Sequence, residues 1–182
     1  MRSLIDRLVA ARIGQTVNFY RDGAGAALRR ERLAAYLEAR AGARLLLVGE
    51  APGYRGARVS GLPFTSERQL TGTGPAEATA TIVHRVLAEL GLTEHVLLWN
   101  VVPTHPGTAT SNRPPTAGEV AQGAVFAREL AVGRRVLAVG RLAEAALGAE
   151  YVRHPSHGGA VAFREGLLPS AAADAQVRPF SV

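Results

Sequence analysis

The sequence predicts an α/β protein of three layers, α/β/α, built on a central, mainly parallel four-stranded sheet. Three observations point there. Four short, mostly apolar runs (residues 45–48, 96–102, 135–139 and 151–154) read as strands, the first of them buried on both faces. Stretches with helical periodicity lie between them, and strands alternating with helices make a parallel sheet. The first run breaks at Gly49 into a turn rich in glycine and proline (Pro52, Gly53, Gly56, Gly61, Pro63). An open parallel sheet places its ligand there, just outside the carboxyl end of a strand.

The elements follow in order. Residues 3–11 set Leu4 over Leu8 and Ile5 over Val9 at i, i+4, an amphipathic helix. Gly14 to Gly25 reads as loop, with Asp22-Gly23 as a turn. Residues 26–40 form a second helix with Leu28, Leu33, Tyr36 and Leu37 as its apolar stripe. Its Arg29, Arg30 and Arg32 suit either phosphate contacts or a solvated face. Thr71 to Pro75 is a breaker, and residues 76–90 are helical, with Ile82, Val83, Val86, Leu87 and Leu90 inward and Gly91 as the stop. His84 on that helix suits a surface or hydrogen-bonded structural role. In the second strand Trp99 is a core side chain.

Residues 103–115 have the composition of a linker, yet they run into Thr116-Ala-Gly-Glu119, a capping-box pattern that starts a helix. The segment is therefore read as an ordered site loop. The helix extends to about Val132, where Gly133 stops it. Gly140 turns the third strand into a helix over 142–147, and residues 160–167 make the last helix. One domain spans residues 1–182, with helices in 1–43 and a tail over 168–182.

Composition narrows the function classes. No apolar run approaches the ~18 residues that span a bilayer. Asp6 and Arg7 interrupt any signal-like apolar core at the N-terminus, so a cytoplasmic protein without a membrane partner is expected. The chain has no cysteine, which removes disulfides, thiolate catalysis and Cys-ligated clusters. The net charge of +6 suits a polyanion. All 21 basic residues are arginine, and nine of them, against four acids, lie in residues 1–44. The excess is thus remote from the glycine turn and supports nucleic acid only modestly.

Three motifs carry a sharper signal. Gly49-Glu50-Ala51-Pro52-Gly53 is followed by Gly61-Leu62-Pro63-Phe64. Asn100 closes the run VLLWN ahead of Asn112-Arg113-Pro114-Pro115-Thr116, and His154-Pro155-Ser156 closes the last run. Together, and in this order, they resemble the motifs of the uracil-DNA glycosylase superfamily, over roughly residues 44–160. The nearest likeness is the branch that writes GEAPG. That branch usually holds an iron–sulfur cluster on four cysteines, which this chain lacks; Thr104 lies about where one would stand. The branch's Glu-Asp pair after GEAPG is also replaced, in the Gly56-Ala57-Arg58 region.

The resemblance implies a monofunctional, monomeric DNA repair enzyme that hydrolyses the N-glycosidic bond of uracil in single- or double-stranded DNA, with no metal or organic cofactor. A flipped nucleotide must be held while negative charge gathers on the leaving base. By this likeness Phe64 stacks on uracil, unless it is simply a core Phe. Asn100, offering one donor and one acceptor, matches N3–H and O4, though it also suits the end of a strand. Glu50, Ala51, Gly53 and Tyr54 line the base site. His154 donates to O2 as charge builds, with His105 and His157 as rivals. Arg55, Arg58, Ser156, His157 and Gly158 meet DNA. The superfamily's water-positioning carboxylate corresponds to Ala51, so Glu50 either orients water or is held by loop amides. The bulky tyrosine that bars thymine's methyl group in some members corresponds to Gly53, leaving that task to Tyr54 or Arg55. After His154-Pro155-Ser156 come His157-Gly158-Gly159, where His157 is the one side chain that could fill the gap left by a flipped base. A non-catalytic uracil- or DNA-binding protein of the same fold is the alternative, favoured by Ala51. A nucleotide-dependent Rossmann-like enzyme fits poorly, since neither G-x-G-x-x-G nor a P-loop follows the first strand.

Overall fold

The computed structural model describes residues 2–177. Strands β1 (Leu45–Gly49), β2 (Val96–Asn100), β3 (Arg135–Val139) and β4 (Glu150–Val152) form one sheet in the order β2-β1-β3-β4. All pairings are parallel. Every residue of β1 and β2 is buried, as their apolar runs require.

Side chains alternate between two cores, as the strand period of two dictates. Leu46, Val48, Leu97, Trp99 and Ala138 face helices α1 (Arg2–Ala10), α2 (Ala26–Ala39), α6 (Ala117–Ala131) and α7 (Arg141–Leu147). Leu45, Leu47, Leu98, Leu137, Val139 and Val152 face α5 (Ala78–Glu89) and α8 (Ala160–Val177). These are the three layers that the pattern predicts.

Several elements differ from the sequence reading. The last helix does not stop at Leu167 but continues through Pro169 to Val177, so most of the expected tail is helix; residues 178–182 lie outside the described residues. A proline costs an interior hydrogen bond and crowds the preceding turn. Here Leu167 and Ser170 are buried on either side of it, and packing outweighs the local penalty. Two short helices, α3 (Ala57–Ser60) in the segment read as a turn and α4 (Glu67–Thr71) in a stretch given no assignment, are too short to leave a periodic signal. Leu28 is exposed rather than part of the stripe of α2.

The arginines of α2 take neither of the two expected roles. Arg29 donates to Phe19 O (2.8 Å) and Val59 O (3.2 Å), Arg30 to Tyr20 O (2.7 Å), and Arg32 to Ser60 O (3.1 Å) and both oxygens of Glu67 (2.8 and 2.9 Å). They tie the long N-terminal loop and the glycine-rich segment to α2. The capping box of α6 forms as its sequence implies: Glu119 N–H donates to Thr116 Oγ1 and Thr116 N–H to Glu119 Oε2. No helix among the described residues is long and apolar enough to cross a membrane.

Candidate active site

Because the strands are parallel, the ends of β1, β2, β3 and β4 open on one side of the sheet. A cavity of about 560 Å³ lies there, lined by the turn 50–53, by Phe64, Asn100, Asn112 and Arg113, by Gly140–Leu142, and by Tyr151, Arg153, His154, Ser156 and His157. The three motifs, far apart in sequence, thus meet at one site.

The floor is built from β1 and β2. Val101 N–H donates to Gly49 O (2.8 Å) and Val102 N–H to Glu50 O (3.0 Å), so pairing outlasts the strands and places Asn100 beside the turn. Asn100 is 4% exposed. Its carboxamide makes no hydrogen bond with any described residue, although it is almost wholly enclosed. A buried amide normally has partners, and this one, without them among the described residues, lines the cavity.

Phe64 is a core side chain, as one of its two expected roles has it, packed with Val83 and Leu98, and it also borders the cavity. It lies so close over Gly49 that a Cβ there would collide with it. Its backbone is left-handed (φ 51°), and the one other described non-glycine residue with positive φ is His157 (φ 50°). Such a conformation costs a Phe on the order of 1–3 kcal/mol. Both residues line this cavity. The Phe64 segment is held by Ser60 Oγ, which donates to Thr65 O (2.6 Å), and by Thr65 Oγ1, bonded to His84 Nε2 (3.0 Å). His84 is therefore a structural clamp.

The histidines sort by their partners. His105 is fully buried, with Nδ1 on Pro52 O (2.8 Å) and Nε2 on Thr108 O (2.9 Å) and Ser111 O (3.1 Å). It is bound to structure and braces the glycine turn from behind. His154 is half-buried, and its Nδ1 accepts from Ser156 N–H (3.2 Å) and contacts Ser156 Oγ (2.8 Å). A neutral ring whose Nδ1 accepts carries its proton on Nε2, which is left as a donor. Burial first, then Arg153 and His157, hold its pKa below the ordinary histidine value, which favours that neutral form.

Glu50 is half-buried with no hydrogen bond to loop amides, and burial alone pushes its pKa up. Ala51 and Gly53 line the cavity beside it. The structure does not bring Tyr54, Arg55 and Arg58 to this cavity. They line a neighbouring cleft with Arg68, Pro75 and Ala109, and the Arg55 guanidinium lies 5.6 Å from the Tyr54 ring centroid. Ser156 and His157 are on the cavity rim, whereas Gly158 is not.

Other lining residues escaped the sequence reading. Asn112 Oδ1 accepts from Tyr54 N–H (2.9 Å), joining the loop after β2 to the glycine turn. Its place in the Asn112–Thr116 motif was the available signal. Arg141, stacked 4.0 Å from the Tyr151 ring centroid, and Glu77, which precedes α5, left none. Among the described residues no cluster of three His, Asp or Glu side chains could hold a metal ion.

The chain resembles known proteins in fold and in sequence family. No curated protein sequence matches the chain. The crystal structure of wild-type SMUG2 from Pedobacter heparinus is similar in fold, with a TM-score of 0.66 at 13% identity over 95% of this chain and 98% of that one. Residues 38–179 match the family model of the uracil DNA glycosylase superfamily. That span contains all three motifs and all four strands, and the chain belongs to the uracil DNA glycosylase superfamily.

Proposed function

We propose that the protein excises uracil from DNA by hydrolysing its N-glycosidic bond, acting in the cytoplasm as a monomer and leaving an abasic site. The observation that carries this reading is the convergence of Phe64, an unbonded Asn100 and the free Nε2 of His154 on one cavity. A flat base slides over Phe64, whose face gives affinity with little choice of base. Choice comes from Asn100, which accepts from N3–H and donates to O4; cytosine presents the reverse pattern.

As the glycosidic bond lengthens, the sugar gains positive charge and uracil negative charge, much of it on O2. The Nε2–H of His154 meets that charge without moving a proton in advance. Glu50 orients the water that attacks the sugar carbon. Ser156 and nearby backbone amides grip a phosphate. Arg55 and Arg58, in the adjoining cleft, meet the strand beyond the flipped nucleotide.

One observation favours a second reading. Ala51 stands where the superfamily's usual water-positioning carboxylate is expected, which suits a protein that binds uracil in DNA without releasing it. Incubating the protein with a uracil-containing oligonucleotide, then treating with alkali, separates the two. Strand cleavage at the uracil supports the enzyme; a stable complex without cleavage supports the binder.

A further inference from the structure

The wall of the cavity above the glycine turn is made by a residue from another element. A Cβ at Gly53 or at Gly56 would collide with the carboxyl group of Glu77. Glu77 is the residue that precedes α5, in an extended conformation, and its side chain makes no capping bond. Nor does that carboxyl pair with any described residue, in contrast to Glu67 on Arg32 and Glu119 on Arg113. It lines the same cavity as Phe64 and Asn100. The space a side chain at position 53 would fill is thus filled from across the turn.

The edges of the base decide what this wall faces. With N3–H and O4 on Asn100 and O2 on His154, the C5–C6 edge is the one left over. Beside the glycine turn, the rest of the lining includes Glu77, whose carboxyl packs against both Gly53 and Gly56. Tyr54 and Arg55 open on the other cleft and cannot guard that edge. We propose that Glu77 is a specificity-determining residue whose side chain closes the pocket against pyrimidines substituted at C5. This rests on the reading of the cavity as a uracil site. Burial also raises the pKa of Glu77, in keeping with a carboxyl group that fills space without a cation.

The test compares release of uracil from U·G and of thymine from T·G duplexes. A yielding pocket discriminates one methyl group by only about 10–200-fold, so removing the wall should be visible as a ratio. Glu77→Ser, which keeps a residue suited to starting a helix, is expected to lower the uracil-to-thymine ratio at least about 10-fold. Glu77→Gln, of the same size, should hold it within about 3-fold of wild type. A second readout needs no substrate: Gly53→Ala should lower the melting temperature in wild type and less in the Glu77→Ser background. The proposal is overturned if Glu77→Ser releases uracil with an unchanged ratio, if both rates fall in parallel, or if Gly53→Ala costs the same in both backgrounds. Failure of wild type itself to release uracil strikes the underlying reading instead, and the melting cycle still judges the contact.

Discussion

Glu119→Gln removes the carboxylate that holds the loop carrying Asn112 and Arg113 onto α6. Glu119 is 2% exposed and accepts from both terminal nitrogens of Arg113 (2.7 and 2.6 Å), from Thr116 N–H (2.8 Å) and from Gln15 N–H (3.0 Å). The Arg113 hydrogen bonds, chiefly, hold its pKa down to about 2, against the opposing effect of burial. Relative to an ordinary glutamate that is worth about 3 kcal/mol at neutral pH, at about 1.4 kcal/mol per tenfold change. Arg113 is partly open to solvent, which screens its share, so a loss of about 2–3 kcal/mol is expected. Because the folded pKa is depressed, this stability is present above the ordinary glutamate range and disappears as pH falls through the folded value. Urea unfolding should therefore show the full gap between wild type and Glu119→Gln at pH 7, and less than about half of it at pH 3. A gap under about 0.5 kcal/mol at pH 7, or one that does not change with pH, would mean that the Arg113–Glu119 pair does not stabilise the fold. The same variant loosens the Asn112 bond to the glycine turn, so uracil release should fall with stability.

Other outcomes follow from the site. Asn100→Asp presents only acceptors and repels the developing anion, so uracil excision should drop by about 2–4 kcal/mol in activation free energy; near-wild-type release at equal stability would remove Asn100 from base recognition. His154→Ala should lower the single-turnover rate far more than the affinity for uracil-containing DNA, since its bond strengthens as charge develops; equal losses would make it a binding residue only. Two glycines follow His157, an exposed residue, and leave little bulk to fill a gap in the duplex. Release should therefore be faster from U·G than from U·A and efficient on single strands, with weak inhibition by abasic duplex; inhibition well below the substrate KM would show that a wedge, or its equivalent, is present.

The sheet was legible because its signal is local. Leu45–Gly49 and Val96–Asn100 are buried throughout, and an unbroken apolar run records that directly. Pro169 misled because its penalty is local while the burial of Leu167 and Ser170 is not. Asn100 and His154 were readable in short words at strand ends, and Phe64 as the close of the Gly61–Phe64 segment. Residues whose role depends on a partner were not. The arginines of α2 reach backbone carbonyls 10 to 30 positions away. Glu77 matters only through its contact with Gly53 and Gly56, and nothing in its neighbourhood marks it. Arg55, likewise, follows the motif in sequence but points to a different cleft.

On the function proposed, the cavity of Phe64, Asn100 and His154 breaks the bond between uracil and deoxyribose. Direct detection of free uracil from a labelled U·G duplex, under single-turnover conditions and with excess protein, tests it most directly. The wild-type protein is expected to yield stoichiometric free uracil and an alkali-labile abasic site, both strongly reduced in Asn100→Asp. Tight binding of the duplex with no free uracil would contradict it.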